Sequence, residues 1–405
     1  MRQATYEGKY MNVLTKPTRT LTTLLLTSLL LAPVAGALAD DDQPVLQSLS
    51  RIKTIASTVP ANGDLNPYGV AQVRRTIGTL RAGHILVSNF NDSGNFQGTG
   101  TTIVDIGPDG GMSLFAALDA AKLPGSCPGG VGLTTALVVL DQGWVIVGSL
   151  PTASQGTVFS GPGCLIVLDS MGKPVETFYG SLINGPWDMT AAQGGAEAKL
   201  FVTNVLNGTV AAGGAVVHGG TVTRLNLKLT GTLPALESIT VVASGFPERT
   251  DPAALVIGPT GVGLRASCMG DGDDCMAMEH GDQDADDRDS SLLYVADTLG
   301  NRVAVIDRAL TRTSSAGTGR TLSSGGSLNG PLGLVLTPRG TVLTVNSGDG
   351  LITEISPHGA QLARKQLDNS GSPPGAGALF GLAFDPAAGV YFVDDASNTL
   401  NLLHH

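Results

Sequence analysis

The chain has 405 residues and a formal net charge of −10, with 55 glycines and only 14% charged side chains. Residues 1–39 carry four of its 24 basic and one of its 34 acidic residues, so the remainder has a net charge of −13. This balance excludes nucleic acid and anionic membrane surfaces as main partners, because both require a basic surface. Abundant Gly with many β-branched residues is typical of short strands joined by tight turns.

Residues 1–39 have the pattern of a secretory signal peptide. Basic residues precede an apolar run at 21–32 (LTTLLLTSLLLA), and Ala-Leu-Ala at 37–39 offers small residues for cleavage. The run is short for a membrane span, and no later run is long enough. We therefore expect a periplasmic or secreted protein with no membrane span after signal removal, translated from Met1 or Met11.

Residues 330–367 form the clearest unit of an internal repeat. Four short apolar runs are separated by the turn sequences PRG, SGDG and SPHG, which predicts a four-stranded antiparallel meander. The first strand opens with Pro-x-Gly-apolar or a related sequence, and the second ends in a polar residue. The predicted openings are Pro67–Val70, Thr134–Leu137, Pro186–Met189, Pro252–Leu255, Pro331–Leu334 and Leu379–Leu382.

Six meanders cannot bury their faces separately, and repeats of this length are typical of propellers. We predict an all-β fold, a six-bladed β-propeller of four-stranded antiparallel blades that occupies residues 40–405 as one domain. The last repeat lacks a fourth strand, whereas residues 45–60 have no blade of their own. We expect this N-terminal segment to pair beside Leu400–Leu403 and complete blade 6; the alternative is that residues 40–60 are a tail.

The segment from Leu293 to Asp307, LYVADTLGNRVAVID, resembles the core of NHL repeats, in which a short Asn-Arg turn joins the second and third strands. The resemblance extends over nearly the whole mature chain and is closest in repeats four to six. It implies an NHL-repeat-like six-bladed propeller of the exported bacterial type.

Four cysteines in an exported chain indicate two disulfides, with free buried thiols as the alternative. They are Cys127, Cys164, Cys268 and Cys275. In the predicted propeller, Cys127 and Cys164 lie at the same face of neighbouring blades. This placement favours a Cys127–Cys164 bridge and leaves Cys268 and Cys275 to close a short loop.

The first strand of a meander starts, and the second ends, at the same face of the disc. Polar residues that end the second strands should therefore surround one mouth of the central channel, near Tyr68, Trp187 and Phe380. The predicted polar ring is Asn89, Ser149, Asn204, Asp297, Asn346 and Asp394. Long Gly-rich connections in repeats one to three favour a ligand site at this mouth. The predicted ligand-binding residues are Asn89, Trp187, Asn204, Asp297, Asn346 and Asp394. The alternatives are a turn role for the ring and blade packing for Trp187.

Residues 265–291 are an acidic insertion in blade 4. Clustered Asp residues can bind Ca²⁺, but the run from Asp282 lacks the glycine of an EF-hand loop and has Leu293 at the twelfth position. A solvated loop on the face opposite the mouth is the preferred interpretation. The sequence identifies no cofactor, and Ca²⁺ is the candidate that it leaves open.

Two enzyme classes with this fold provide tests, calcium lactonases or esterases and lyases similar to streptogramin lyase, the second of which needs paired His and Glu near the mouth. Six-bladed calcium lactonases and esterases hold their metal with Asn and Asp at the x of the strand openings, together with an early Glu. Here x is Tyr68, Thr135, Trp187, Ala253, Leu332 and Phe380. Asp188 lies one position after Trp187, the x residue of the third opening. The histidines are scattered and a G-x-S-x-G elbow is absent, so no catalytic residue is assigned.

The sequence therefore favours an exported, monomeric binding or scaffold module with a small-molecule, glycan or protein ligand at the channel mouth. The alternative is a cation-dependent hydrolase or lyase, similar to lactonases and esterases, that uses the polar ring of the same mouth.

Overall fold

The computed structural model describes residues 43–266 and 289–405, which form six antiparallel sheets arranged as a β-propeller. A short helix α1 (Val45–Ser48) and strand β1 (Arg51–Ser57) precede the first blade. The predicted signal peptide, Cys268, Cys275 and most of the acidic insertion lie outside the described residues. Within the described ranges, no helix has the length and apolar character needed to cross a bilayer.

Blades 1 to 3 have long connections on one face. Blade 1 consists of β2 (Leu65–Gln72), β3 (Ile85–Asn91), β4 (Thr102–Ile106) and β5 (Met112–Ala117). Blade 2 consists of β6 (Leu133–Val139), β7 (Val145–Ser149), the small hairpin β8 (Thr152–Ala153) and β9 (Val158–Phe159), β10 (Cys164–Leu168) and β11 (Pro174–Phe178). Blade 3 consists of β12 (Pro186–Gly194), β13 (Glu197–Asn204), β14 (Val217–Lys228), β15 (Ala235–Asp251) and a short fifth strand β16 (Leu255–Ile257).

Blades 4 to 6 have short connections on that face. Blade 4 consists of β17 (Pro259–Arg265), β18 (Leu292–Asp297), β19 (Arg302–Asp307) and β20 (Arg320–Ser324). Blade 5 consists of β21 (Pro331–Leu336), β22 (Val342–Asn346), β23 (Leu351–Ile355) and β24 (Gln361–Gln366). Blade 6 consists of β25 (Leu379–Asp385), β26 (Gly389–Asp394), β27 (Thr399–His404) and β1.

The ring closes at both its inner and outer strands. The innermost strands contact one another in the cycle β2, β6, β12, β17, β21, β25 and back to β2. At the outside, β1 pairs with β27 from Arg51 opposite His404 to Ser57 opposite Thr399. The prediction that the N-terminal segment completes blade 6 is thereby confirmed, although only residues 51–57 of the predicted segment are a strand.

The residues before β1 fasten it to the neighbouring blade. Leu46 and Leu49 are buried among apolar residues of blades 5 and 6. The backbone N–H of Leu46 also donates to Oε2 of the buried Glu354 at 2.9 Å. The N-terminal segment thus joins blade 5 to blade 6 as well as covering an edge of the sheet.

Five blades share one register at their inner strands, in which the first residue of the opening lies opposite the polar residue near the end of the second strand and a β-bulge follows. In blade 2 the residue opposite Ser149 is Leu133, which directly precedes the predicted opening Thr134–Leu137, and the bulge is one residue longer. The pairs are Pro67–Asn89, Leu133–Ser149, Pro186–Asn204, Pro259–Asp297, Pro331–Asn346 and Leu379–Asp394. The predicted opening Pro252–Leu255 of blade 4 is wrong, because the opening is Pro259–Val262. Leu255 instead pairs with Asp251 as the fifth strand of blade 3.

Close approach of neighbouring inner strands explains the glycine in the opening motif. A Cβ atom at Gly333 would lie 1.8 Å from the backbone oxygen of Phe380, and one at Gly261 would lie 2.2 Å from that of Leu332. Neither position can hold a side chain without separating two blades. Blade 3 differs, because Asp188 stands where these blades have glycine.

The disulfide Cys127–Cys164 joins the connection between blades 1 and 2 to β10, as predicted. No cysteine among the described residues is free. This bridge is compatible with an extracellular or periplasmic protein.

Candidate functional site

An aromatic cluster fills the channel beneath the mouth. The ring of Tyr68 stacks on Phe90 and Phe380, with centroids 4.4 and 3.9 Å apart, and Trp187 meets Tyr68 edge-on at 5.7 Å. Each of these four side chains is at most 9% exposed. Tyr68, Trp187 and Phe380 occupy the second position of their strand openings, which the propeller register directs to the centre. The structure brings these three side chains into one cluster, and their predicted place near the mouth stays a prediction.

The polar ring residues occupy equivalent positions and are buried, and all make hydrogen bonds within the protein. Asn89 Nδ2 donates to Thr58 O at 3.0 Å, and Asn346 Nδ2 donates to Ser327 O at 2.7 Å. Asn204 Oδ1 accepts from the backbone N–H of Asn184 at 2.9 Å. Ser149 Oγ accepts from Gly132 N at 3.0 Å. These four side chains tie the end of the second strand to the segment that enters the same blade.

The two acidic residues of the polar ring, Asp297 and Asp394, accept hydrogen bonds from the turns that directly follow them. Asp297 accepts from Gly300 N at 2.9 Å and from Arg302 Nε at 2.8 Å, and Asp394 accepts from Ser397 N at 3.3 Å. These hydrogen bonds are the ones expected if the ring residues stabilise turns and do not bind a ligand. A direct ligand-binding role for Asn89, Asn204, Asp297, Asn346 and Asp394 stays a prediction.

Asp395 directly follows the ring position of blade 6. It is a candidate general base, because its pKa lies near neutral pH. It is partly buried, and its backbone N–H donates to Ala378 O at 2.8 Å. Burial, and secondarily the neighbouring Asp394, raise the pKa of Asp395 to about 7. Asp395 also raises the pKa of Tyr68, after the larger effect of burial, while a hydrogen bond from Asn66 opposes the shift. Its carboxyl therefore lies within electrostatic reach of the Tyr68 hydroxyl.

Asp188 is a second carboxyl with a perturbed pKa, in the channel wall beside Trp187. Its Oδ1 accepts from Met189 N at 2.8 Å and its Oδ2 from Val262 N at 3.2 Å. Burial raises the pKa of Asp188 to about 7 because it outweighs both hydrogen bonds. Since the second hydrogen bond crosses from blade 3 to blade 4, this carboxyl joins the inner strands of the two blades.

The positions that would hold a channel cation do not fit one. With the corrected register they are Tyr68, Thr135, Trp187, Thr260, Leu332 and Phe380. Ca²⁺ needs six to eight oxygen ligands, and four of these side chains are aromatic or aliphatic. Across residues 43–266 and 289–405, no group of three or more His, Cys, Asp or Glu side chains has the arrangement of a metal site.

Insertions from blades 1 to 3 cover the mouth. Strand β15 runs beyond its blade and folds back through a turn at residues 252–254 to pair with β16. Leu255 and Val256 are buried in one cluster with the channel aromatics. At the tip of this hairpin, Ala253 O accepts a hydrogen bond of 2.7 Å from Gln97 Nε2 in the connection between β3 and β4 of blade 1. The hairpin thus reaches from blade 3 to blade 1 over the channel.

The sequence matches no protein-family model and no curated protein. Among solved structures, a gluconolactonase from Xanthomonas campestris matches with a TM-score of 0.51 at 13% identity, covering 88% of this chain and 90% of that one. A calcium-binding regucalcin from Agrobacterium tumefaciens matches with a TM-score of 0.51 at 13% identity, covering 85% and 92%. At this identity the likeness shows the fold alone, and the NHL-repeat resemblance is not confirmed. The chain is a six-bladed β-propeller whose structural neighbours include gluconolactonase and regucalcin.

Proposed function

We propose that this chain is an exported propeller that acts on a small neutral ester or lactone at the mouth of its channel. The single observation that carries this proposal is Asp395, a partly buried carboxyl that has a pKa of about 7 and contributes to the raised pKa of Tyr68 in the aromatic cluster. The fold shared with a gluconolactonase supports the same reaction class, by analogy only.

The chemistry of Asp395 and Tyr68 suits acyl transfer to water. A carboxyl with a pKa of about 7 is half ionised near neutral pH, where a general base is most effective. The raised pKa of Tyr68 keeps its hydroxyl protonated and able to donate a hydrogen bond. Ionised Asp395 and protonated Tyr68 are therefore available together.

In the proposed reaction, Asp395 takes a proton from a water molecule as the water oxygen bonds to the carbonyl carbon. The Tyr68 hydroxyl donates a hydrogen bond to the oxyanion that forms. The bond from carbon to the leaving oxygen then breaks, and the proton passes from Asp395 to that oxygen. The products are an acid and an alcohol, which stay on one molecule when the substrate is a lactone.

This proposal modifies the cation-dependent alternative from the sequence. The substrate class is retained, but no step is assigned to a metal, because the channel positions have the wrong side chains for Ca²⁺. The aromatic floor favours a substrate with an apolar or ring-shaped face. The acidic rim, with Asp394 beside Asp395, favours a neutral substrate over an anionic one.

A binding module without turnover is the second candidate. Its support is a set of exposed apolar side chains in the connections that stand on blades 2 and 3. Val158, Val210 and Val216 are 53%, 55% and 51% exposed. Exposed apolar residues at a mouth favour contact with a ligand or protein surface.

A panel of neutral lactones and aryl esters, offered to the purified protein before and after EDTA treatment, separates these candidates. The proposal predicts turnover that survives EDTA. Saturable binding without product formation would favour the binding module, and turnover abolished by EDTA and restored by Ca²⁺ would favour the cation-dependent reaction. Asp109→Asn, in an exposed turn between β4 and β5, provides a matched control for Asp395→Asn.

A further inference from the structure

The hairpin over the mouth contains a strained backbone conformation that its contacts hold in place. Leu255 has a φ of 63°, a conformation that costs a non-glycine residue of order 1 kcal/mol or more. Asp251 organises the turn by accepting from Ala253 N and Ala254 N and by an ion pair with Arg249 at 2.6 Å. Packing of Leu255 and Val256 on the channel cluster holds this conformation against the strain.

Glu248 lies immediately before the first residue pair of this hairpin, Arg249 with Ile257. Its side chain is completely buried, and neither carboxyl oxygen accepts a hydrogen bond of normal geometry; the backbone of Asn207 lies near enough only to oppose part of the effect of burial on the pKa of Glu248. The surroundings are tight: a Cβ atom at Gly219 would lie 2.8 Å from Glu248 Oε1, and one at Gly258 would lie 3.1 Å from its Cβ. Such a site tolerates a neutral carboxyl and strongly disfavours an ionised one.

Within residues 43–266 and 289–405, no charged neighbour offsets this burial. On the adjoining strand β14, the nearest titratable residue is His218, which is exposed. On β15 itself, Arg249 is engaged with Asp251. The connection from 205 to 216, which covers the carboxyl, contains no titratable residue. Burial accordingly raises the pKa of Glu248 to about 8, opposed only by the backbone of Asn207.

We propose that residues 249–257 form a lid over the channel mouth, held closed by the neutral form of Glu248 and released when this carboxyl ionises. An ionised Glu248 must reach water, and the movement that exposes it breaks the pairing at the base of the hairpin. Leu255 then loses the packing that holds its strained backbone, and the tip loses its hydrogen bond to Gln97. The aromatic cluster, including Trp187, becomes accessible to solvent. This inference concerns access to the mouth and holds whichever ligand binds there.

Acrylamide quenching of Trp187 fluorescence tests the lid. Trp144→Phe removes the other tryptophan, so the signal reports residue 187, which is 2% exposed when the lid is closed. In this background we expect quenching to rise several-fold between about pH 6 and about pH 9, with a midpoint near the raised pKa of Glu248. Adding Glu248→Gln should keep quenching low throughout. Glu237→Gln, an exposed position on the same strand, should behave like its parent.

A flat profile in the parent protein, or an equal rise in the Glu248→Gln variant, would overturn the proposal. Should that variant not fold, amide hydrogen exchange of the wild type decides the question. After correction for intrinsic rates, residues 249–257 should lose protection at about pH 9 while residues 221–228 on β14 keep theirs. Equal protection of both segments would again overturn the lid.

Discussion

The side chain of Asn89 donates a hydrogen bond to the backbone oxygen of Thr58, 3.0 Å away, at the mouth of the channel. Thr58 directly follows β1, which completes blade 6, whereas Asn89 lies near the end of β3, the second strand of blade 1. One amide group thus joins the two blades between which the ring closes. At the equivalent positions of blades 3 and 5, Asn204 accepts a hydrogen bond from Asn184 N and Asn346 donates one to Ser327 O, so both side chains fasten the entry of their blade.

Asn89→Ala should lower the free energy of unfolding by about 1–3 kcal/mol, because it leaves the buried oxygen of Thr58 without its side-chain donor. Denaturant titration measures the change. Asn226→Ala, which removes a hydrogen bond to Ser238 near the surface, is the matched control and should cost well under half as much. Equal effects of the two substitutions would contradict the assigned role of Asn89.

A chain that begins at Thr58 should fail to form a stable monomer. It lacks β1, so β27 becomes an exposed edge, and it also lacks Leu46 and Leu49 from the core between blades 5 and 6. Size-exclusion chromatography and thermal melting should show aggregation or a large loss of stability. A chain beginning at Ser50 keeps β1 but loses α1 and the buried Leu46 and Leu49, and it should remain folded with a smaller loss of stability. If the shorter chain melts like the chain from Gln43, the closing strand is not needed.

Replacing Cys127 and Cys164 together by Ser should destabilise the protein. The bridge closes a loop with a sequence separation of 37 residues. For a loop of this length, the chain-entropy model gives a stabilisation of about 4 kcal/mol, and strain in the folded state can lower it. Denaturant titration under non-reducing conditions measures the loss. A reducing agent should shift the wild type toward the double variant and leave the variant unchanged; a shift of both would point to other bonds.

Stability should fall as pH rises from about 5 to about 8. In the folded chain the pKa of Glu248 is raised to about 8, so within this window the folded state holds a proton that the unfolded state has released. Stability then decreases by up to about 1.4 kcal/mol per pH unit for this group. Asp188 and Asp395, with pKa values of about 7, act in the same direction up to that pH. Glu248→Gln should flatten the dependence, and an unchanged slope would show that Glu248 is solvated.

The blade count and the equivalence of the ring residues could be predicted because both depend on local chemistry. Pro-x-Gly marks a bulge where neighbouring strands approach too closely for a side chain, as at Gly333. Asn and Asp at the ends of second strands satisfy backbone groups nearby. The wrong opening in blade 4 shows the limit, since Pro252 and Pro259 both begin an apolar run. Pairing of β15 with β16 decides between them, and that pairing is not visible in the sequence.

The carboxyls that matter most to the candidate site could not be identified from the sequence. Asp395 follows a ring position and Glu248 lies in a polar stretch, and both residue types are ordinarily solvated. Their burial results from distant parts of the chain, such as the connection that covers Glu248. The two adjacent aspartates, Asp394 and Asp395, are the only signal in the sequence, and the sequence does not show which of the two has the raised pKa near Tyr68.

The pH–rate profile for hydrolysis of the best neutral lactone, measured after EDTA treatment, tests the central claim most directly. For the wild type we expect a rate that rises with pH in two steps, one at the apparent pKa of Asp395, about 7, and one near the pKa of Glu248, about 8, where the lid is released. Asp395→Asn should lower the rate by about 100-fold or more and remove the first step, while Asp109→Asn should leave the rate and both steps unchanged. A rate and profile unaffected by Asp395→Asn would contradict the proposed site.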